Sequence, residues 1–301
     1  HMLFETTRMT GAFLIASVGT VIGVLIAVSV LDLSSLAPAA DIDPALREAG
    51  IAGLFASTYI GGSVNYAALG EITGLSSDAS FFSAATATDN LFSAVFLSVL
   101  ALLPGLNWLA KHINRHEHGK ESTRADDGER ISATSLTLAL AVAITFVAAG
   151  DAITAAIGMP SLRYAIITGL ALIAATAFPH WMERLHGGFE LGVGLAFVFF
   201  AAIAAGANLE AMVRIAPLLI VLVVILLSVH LLVLLSVGRL FKLTLPELVT
   251  ASNAAILGAT TAPALAAARG WHDLVTPGVL VGVFGYALGT FTGTAIFHLW
   301  G

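Results

Sequence analysis

Asp89 stands in the run "FFSAATATDNLFSAVFLSVLALLPG", about nine residues into a stretch that is otherwise built for hydrocarbon. A charged carboxylate at mid-depth costs at least ~2.5–3.5 kcal/mol, so an acid kept there marks a functional site by default. Thr86, Thr88 and Asn90 beside it supply the oxygen that a sodium ion prefers. A proton or a cation could neutralise the carboxylate, so the two would compete for one position. The alternative is a structural carboxylate capping a broken helix.

Two further stretches carry polar groups and glycines where an apolar helix is expected. "STYIGGSVNYAAL", Ser57–Leu69, places Gly61, Gly62, Ser63 and Asn65 in mid-segment. "ASNAAILGATTAPALAAARG", Ala251–Gly270, does the same with Gly258, Thr260, Thr261 and Pro263. Glycine permits the chain to unwind, and proline removes a backbone donor and crowds the preceding turn. Irregular backbone at membrane depth survives only where protein buries it or where it lines a cavity. Setting Gly61 over Gly258 aligns Ser63 with Thr260 and Ala67 with Ala264 without a gap. Interrupted segments at corresponding places in two halves point to a transporter's binding site, with half-helix ends offering partial charge. Close helix packing through small residues is the competing reading. Tyr286 stands where the alignment would put a second Asp89, so any cation site is asymmetric.

Two histidine features carry less. His230, deep in "IVLVVILLSVHLLVLL", reads as a hydrogen-bonded packing residue before it reads as a proton relay. His112, His116 and His118 beside Glu117 read as a solvated linker, since nothing fixes the geometry a metal needs.

The elements that must position these residues follow from composition. The chain has 301 residues, 58% hydrophobic and 11% charged, with a mean hydropathy of +0.94. That charge content is under half of the ~25% usual in soluble domains. The fold class is all-α polytopic membrane protein, and long unbroken apolar runs exclude a β-barrel. There is no cysteine, which removes disulfides and thiolate metal sites, and a net charge of −6 argues against nucleic acid. No zincin, nucleophile-elbow or P-loop motif is present, so no enzyme is expected.

Nine segments read as membrane helices: Thr10–Leu31, Glu48–Leu69, Ser80–Ala110, Ser132–Ile157, Leu162–Phe178, Gly188–Ala207, Ala211–Leu240, Pro246–Ala268 and Leu274–Trp300. They divide into a first core unit at 1–110, a charged loop at 111–131, panel helices at 132–207 and a second core unit at 208–301. Five of the thirteen Lys and Arg residues lie in Lys111–Arg130, which places that loop in the cytoplasm. Alternation from it puts the C-terminus on the same side and the N-terminus opposite.

"TYIGGSVNYAALGE", "ATDNL", "TASNAAILGATTAPALAAARG" and "LVTPGVLVGVFGYALGT" together resemble the domain-of-unknown-function family numbered 819. That family is grouped with cation/proton antiporters and sodium/bile-acid-type symporters. The resemblance implies an inverted repeat of three-helix core units, each with a broken middle helix, the two breaks crossing. It implies sodium ligands at Ser63, Asn65, Thr86, Asp89 and Asn90, and at Asn253, Thr260 and Thr261, with Asp89 as the acid that carries the exchanged ion. Family members usually have helices before the first span seen here, so the chain is expected to be N-terminally truncated.

Three spans between the two core units leave both broken helices pointing the same way, whereas an inverted repeat needs an even number there. The short fifth span is therefore expected to be misread. The resulting expectation is a carrier of a small solute or ion, coupled to sodium or protons, in the lipid bilayer of an inner membrane, with a homodimer as an expected assembly. A non-transporting scaffold or sensor with the same fold is the alternative.

Overall fold

The computed structural model describes residues 2–106, 131–159, 163–182 and 208–300, with isolated positions at 109, 113 and within 184–205. The expected loop with His112, His116, Glu117 and His118, and most of the sixth expected span, lie outside the described residues. Among the described residues the regular structure is helical, and five helices are long and apolar enough to cross a membrane: Thr6–Val30, Ala79–Gly105, Ala133–Ile157, Glu210–Leu240 and His272–Trp300.

The chain forms two units, one of His1–Ser122 with Gly206–Gly301 and one of Thr123–Ala205. In the second unit, helices α5 (Ala133–Ile157) and α6 (Arg163–Ala177) pack together, with Gly150 of α5 against the Ile167 side chain. Ser132 and Ser135 close a capping box at the start of α5, and Arg163 pairs with Asp151 near its end.

The first unit holds every residue of the expected site. Helices α1 (Met2–Val30) and α7 (Leu209–Leu240) run antiparallel in close contact. Gly19 lies against the backbone of His230, and Gly23 against that of Leu226. A Cβ at Gly23 would sit 2.7 Å from the Leu226 carbonyl oxygen, so only glycine allows this approach.

Helices α2 (Arg47–Gly61) and α3 (Ser63–Thr73) do not form one interrupted span. Gly62 joins them with φ 79° and ψ −177°, a backbone state essentially confined to glycine. The chain turns back there. Ser57 Oγ lies 3.4 Å from the Asn65 carbonyl oxygen, and Gly50, near the start of α2, lies beside Thr73 at the end of α3. The legs, of 15 and 11 residues, reach only ~22 and ~16 Å at 1.5 Å per residue, short of ~30 Å of hydrocarbon.

Helices α8 (Leu245–Ile256) and α9 (Thr261–Ala268) repeat this design, turning at Gly258 with φ 90°. Thr261 Oγ1 donates to Asn253 Oδ1 across the legs at 2.6 Å, and Gly278 touches both Thr250 and Pro263. Thr244 and Glu247 start α8 with a capping box.

Both segments are therefore re-entrant hairpins rather than the crossing broken helices expected from sequence. The sequence reading took each as one span because either hairpin, unfolded into a line, has the length of one. The turn glycines also pair Gly62 with Gly258, one residue from the register that aligns Gly61 with Gly258. In the new register Ser57 matches Asn253 and Asn65 matches Thr261, and each pair bridges its own hairpin.

The hairpins enter from opposite ends of α1. At the far end, Leu33 N–H donates to Glu48 at 2.8 Å, and Asp78, which caps α4 (Ala79–Leu102), also accepts from Ala39 N–H at 3.0 Å. At the near end, the Arg8 guanidinium makes two bonds to Glu247, at 2.6 and 2.8 Å, and one to the Lys242 carbonyl at 3.0 Å. Helix α10 (Val275–Trp300) runs antiparallel to α2, with Gly285 beside Gly61 and Gly293 beside Gly53.

Two further expectations change with the hairpins. Arg269 at the end of α9 donates to the Ala101 carbonyl at the end of α4, so α10 begins where α4 finishes. Its 26 residues then run back along the unit, so the C-terminal end of α10 lies at the end where α4 begins rather than where α4 finishes. A hairpin also adds no net crossing. An odd number of spans between the two core segments would now give them opposite directions, while α6, at 15 residues the described part of the expected fifth span, is no longer than α2 and is not among the five helices long enough to cross.

Candidate functional site

The hairpin tips meet inside the first unit. A Cβ built on Gly62 would lie 3.9 Å from the Cα of Gly258. Each tip ends one helix and starts another, so the carbonyls of one leg and the amides of the next converge at this point. Neither α3 nor α9 has a side-chain cap on its first amides, which leaves their positive ends directed to the meeting place.

Asp89 reaches the first tip from α4. It is 5% exposed, and its Oδ2 accepts a long bond from Thr58 Oγ1 at 3.4 Å. Oδ1 is buried without a hydrogen-bond partner. The Tyr59 hydroxyl lies beside the same carboxylate without a well-aligned bond. Buried polar atoms are nearly always satisfied, so a carboxylate oxygen left over beside two hydroxyls is a candidate ligand position. A cation or a proton would fit its chemistry.

Asn65 holds the first tip to α10. Its Nδ2 donates to the Tyr286 carbonyl at 2.8 Å and lies 3.4 Å from that of Gly285. Gly61 and Gly285 pack backbone to backbone, and a Cβ on Gly61 would fall 2.3 Å from the Gly285 oxygen. At the second tip, Asn253 is fully buried with Nδ2 unpartnered. The Tyr286 hydroxyl lies against this turn, 3.7 Å from where a Cβ on Gly258 would stand and beside the Ala259 backbone.

The expected residues separate into three groups. Gly61, Gly62, Asn65, Asp89, Asn253, Gly258 and Thr261 are gathered in or against the two tips. Ser63 and Thr260 are exposed at the tips, and Pro263 is half-buried on α9. Thr86 and Thr88 lie on α4 but donate to the Phe82 and Ala84 carbonyls of their own helix, while Asn90 is exposed. Rotation by ~100° per residue turns Thr88 and Asn90 away from the face of Asp89, whereas Thr86, one turn earlier, shares that face but gives its hydroxyl to Phe82. Thr58 was missed, although it lies one turn before the paired glycines. Tyr286 takes part through its carbonyl and its hydroxyl rather than as a stand-in for Asp89.

The comparisons with known proteins agree with this architecture as that of a membrane protein. The chain is 32% identical over 311 residues to the "Uncharacterized membrane protein YjcL" of Bacillus subtilis (strain 168), covering 96% of this chain and 75% of that protein. No solved structure matches it. The family model described as "Protein of unknown function (DUF819)" matches residues 1–299, and the chain belongs to that family.

Proposed function

We propose that this protein is a secondary active transporter moving a small solute or ion by alternating access, coupled to sodium or protons. One observation carries the reading: two re-entrant tips meet at Gly62 and Gly258 beside a buried carboxylate with an unpartnered oxygen. Paired interruptions that bring helix ends to mid-depth suit a site reached alternately from either side. The two core segments, each a helix, a hairpin and a helix, are read as an inverted repeat because their hairpins enter from opposite ends of α1. An odd number of crossings between them suits that reading; among the described residues there Ala133–Ile157 is the helix long and apolar enough to cross.

Asp89 is the coupling residue in this proposal, with the Thr58 hydroxyl as its neighbour. Asn65, Asn253 and Thr261 line the tips. The hairpins replace the crossing helices that the antiporter and symporter group implies, so placement in that superfamily rests on the sequence motifs alone. With loop 111–131 cytoplasmic, the first hairpin opens from the outer side and the second from the inner side.

Reconstitution into proteoliposomes tests the reading. Uptake or efflux driven by a sodium or proton gradient is expected, lost in Asp89→Asn while the protein remains folded. Gradient-driven flux that survives Asp89→Asn removes Asp89 from the mechanism. No flux across a broad panel of anionic, cationic and neutral solutes, with no sodium- or pH-dependent change in thermal stability, favours the scaffold or sensor reading instead.

A further inference from the structure

A second polar system lies behind the tips, and the site described above does not use it. His230 on α7 is completely buried. Its Nδ1 is 2.9 Å from Thr20 Oγ1 on α1, and its Nε2 is 2.8 Å from Ser252 Oγ on α8. Thr20 Oγ1 also lies 3.2 Å from the Tyr59 carbonyl oxygen of α2 and 3.2 Å from that of Ala16. The Phe96 ring of α4 meets the imidazole edge-on at 5.8 Å. One imidazole is thus bonded toward both hairpins, immediately before each of them turns.

The Tyr59 carbonyl explains the arrangement. In a continuous helix it would accept from the amide of Ser63, but the turn at Gly62 assigns Ser63 to α3, and no such bond forms. The Thr20 hydroxyl is its replacement donor. A hydroxyl has one proton to give, so it can serve the carbonyl only if Nδ1 gives a proton to it rather than taking one. Ser252 then donates to the bare Nε2. This is the neutral arrangement in which both ring nitrogens are paired and the Thr20 hydroxyl keeps its proton for a carbonyl. Of the two at 3.2 Å, Ala16 and Tyr59, the freed one of Tyr59 is the one that lacks a helical donor. With the proton on Nε2, the Thr20 hydroxyl either turns to Nδ1 and leaves the Tyr59 carbonyl buried and unpaired, or stays on the carbonyl and leaves Nδ1 unpaired.

We propose that His230 is a positioning residue of the tips: a neutral imidazole protonated on Nδ1, which aims the Thr20 hydroxyl at the Tyr59 carbonyl and is held by Ser252 of the other hairpin. The brace withdraws that carbonyl from the meeting place and fixes the Thr58–Tyr59 backbone, so that the Thr58 hydroxyl faces Asp89. It also ties the residue before Asn253 to the first hairpin, so that displacement of one tip is felt by the other. Its role in coupling rests on the transporter reading. The brace itself does not.

Nitrogen NMR of the full chain labelled in histidine tests the brace without any ligand. A protonated Nδ1 with a bare, hydrogen-bonded Nε2 at His230, assigned by its absence in His230→Asn, is expected. The opposite tautomer or a doubly protonated ring overturns the proposal. Hydrogen–deuterium exchange tests the positioning role. Thr20→Val should speed exchange at 60–65 and at 257–261 by ~10-fold, the worth of one hydrogen bond of about 1.4 kcal/mol, while Thr20→Ser stays within about twofold of the parent.

His230→Asn, whose amide can replace the Nδ1 donor, should stay closer to the parent at 60–65 than His230→Leu. Equal effects of Asn and Leu, or exchange rising at one hairpin alone, overturn the coupling of the tips. Should Thr20→Val fail to fold, the tautomer and the Asn–Leu contrast still decide. If the parent shows no ion-dependent flux but the tautomer and exchange results hold, the transporter reading fails and the brace stands.

Discussion

The two hairpins have the same plan and different chemistry. The first turns on Gly62 alone, has legs of 15 and 11 residues, and is clamped by Asn65 to backbone carbonyls of α10. The second turns through 257–260, has legs of 12 and 8 residues, and is held across its own legs by Asn253 and Thr261. A carboxylate, Asp89, attends the first tip, and a phenol, Tyr286, attends the second. In the transporter reading proposed above, the duplicated geometry serves two ends of one pathway, and a carboxylate at one tip only gives ion chemistry to the first hairpin and a neutral phenol to the second.

The comparison breaks most visibly where the first hairpin touches α10. A Cβ on Gly289 would lie 2.1 Å from Asn65 Nδ2 and 2.8 Å from the Ser57 carbonyl oxygen. Gly289→Val should prevent the hairpin from seating, and little monodisperse protein should survive extraction in detergent. Gly270→Val, at a glycine with open space around it, is the control for handling but carries its own strain at φ 74°. Normal yield and melting temperature in Gly289→Val would mean that the first hairpin is not clamped as described.

At the base of the second hairpin the expected loss is smaller. Glu247 is nearly buried and paired with Arg8, so Arg8→Met leaves a carboxylate without its cation. About 3 kcal/mol of stability should go, read as a fall in melting temperature. The double change Arg8→Met with Glu247→Gln should recover part of it, and no recovery would show that the guanidinium acts through packing alone.

Gly62→Ala sharpens the comparison at the turn itself. There is room for a methyl group, since the nearest atom is 3.9 Å away, but the backbone state is closed to L-residues. A loss of ~1–3 kcal/mol in thermal stability is expected from conformation alone. A neutral result would show that the tip is not held in this turn.

How much of this was legible in sequence depends on which physical signal each feature leaves. Gly62 and Gly258 could be found because glycine pairs and proline are out of place in hydrocarbon. Asp89 could be found because a carboxylate there is costly. The direction of the chain after each glycine could not, because a helix that reverses and one that continues have the same composition and nearly the same length. That single ambiguity carried the crossing geometry and the parity argument about the intervening spans. Asn90 and Thr88 were drawn in by adjacency to Asp89, yet helical rotation turns Asn90 out and Thr88 spends its hydroxyl on Ala84. Thr20, more than two hundred residues from His230, leaves no local trace of their contact.

The smallest effect is the most discriminating between the two tips. Tyr286→Phe removes the hydroxyl that lies beside Gly258 and the Ala259 backbone and leaves the carbonyl that receives Asn65 in place. About 1 kcal/mol should be lost, the net worth of a neutral hydrogen bond. Asp89→Asn removes charge at the other tip, and its neighbours Thr58 and Tyr59 belong to α2. If the tips are chemically separate, the stability effects of the two substitutions should add within ~0.5 kcal/mol, as they do for sites without shared partners. A coupling well beyond that would place Asp89 and Tyr286 in one network, and the division of labour between a charged tip and a neutral one would be lost.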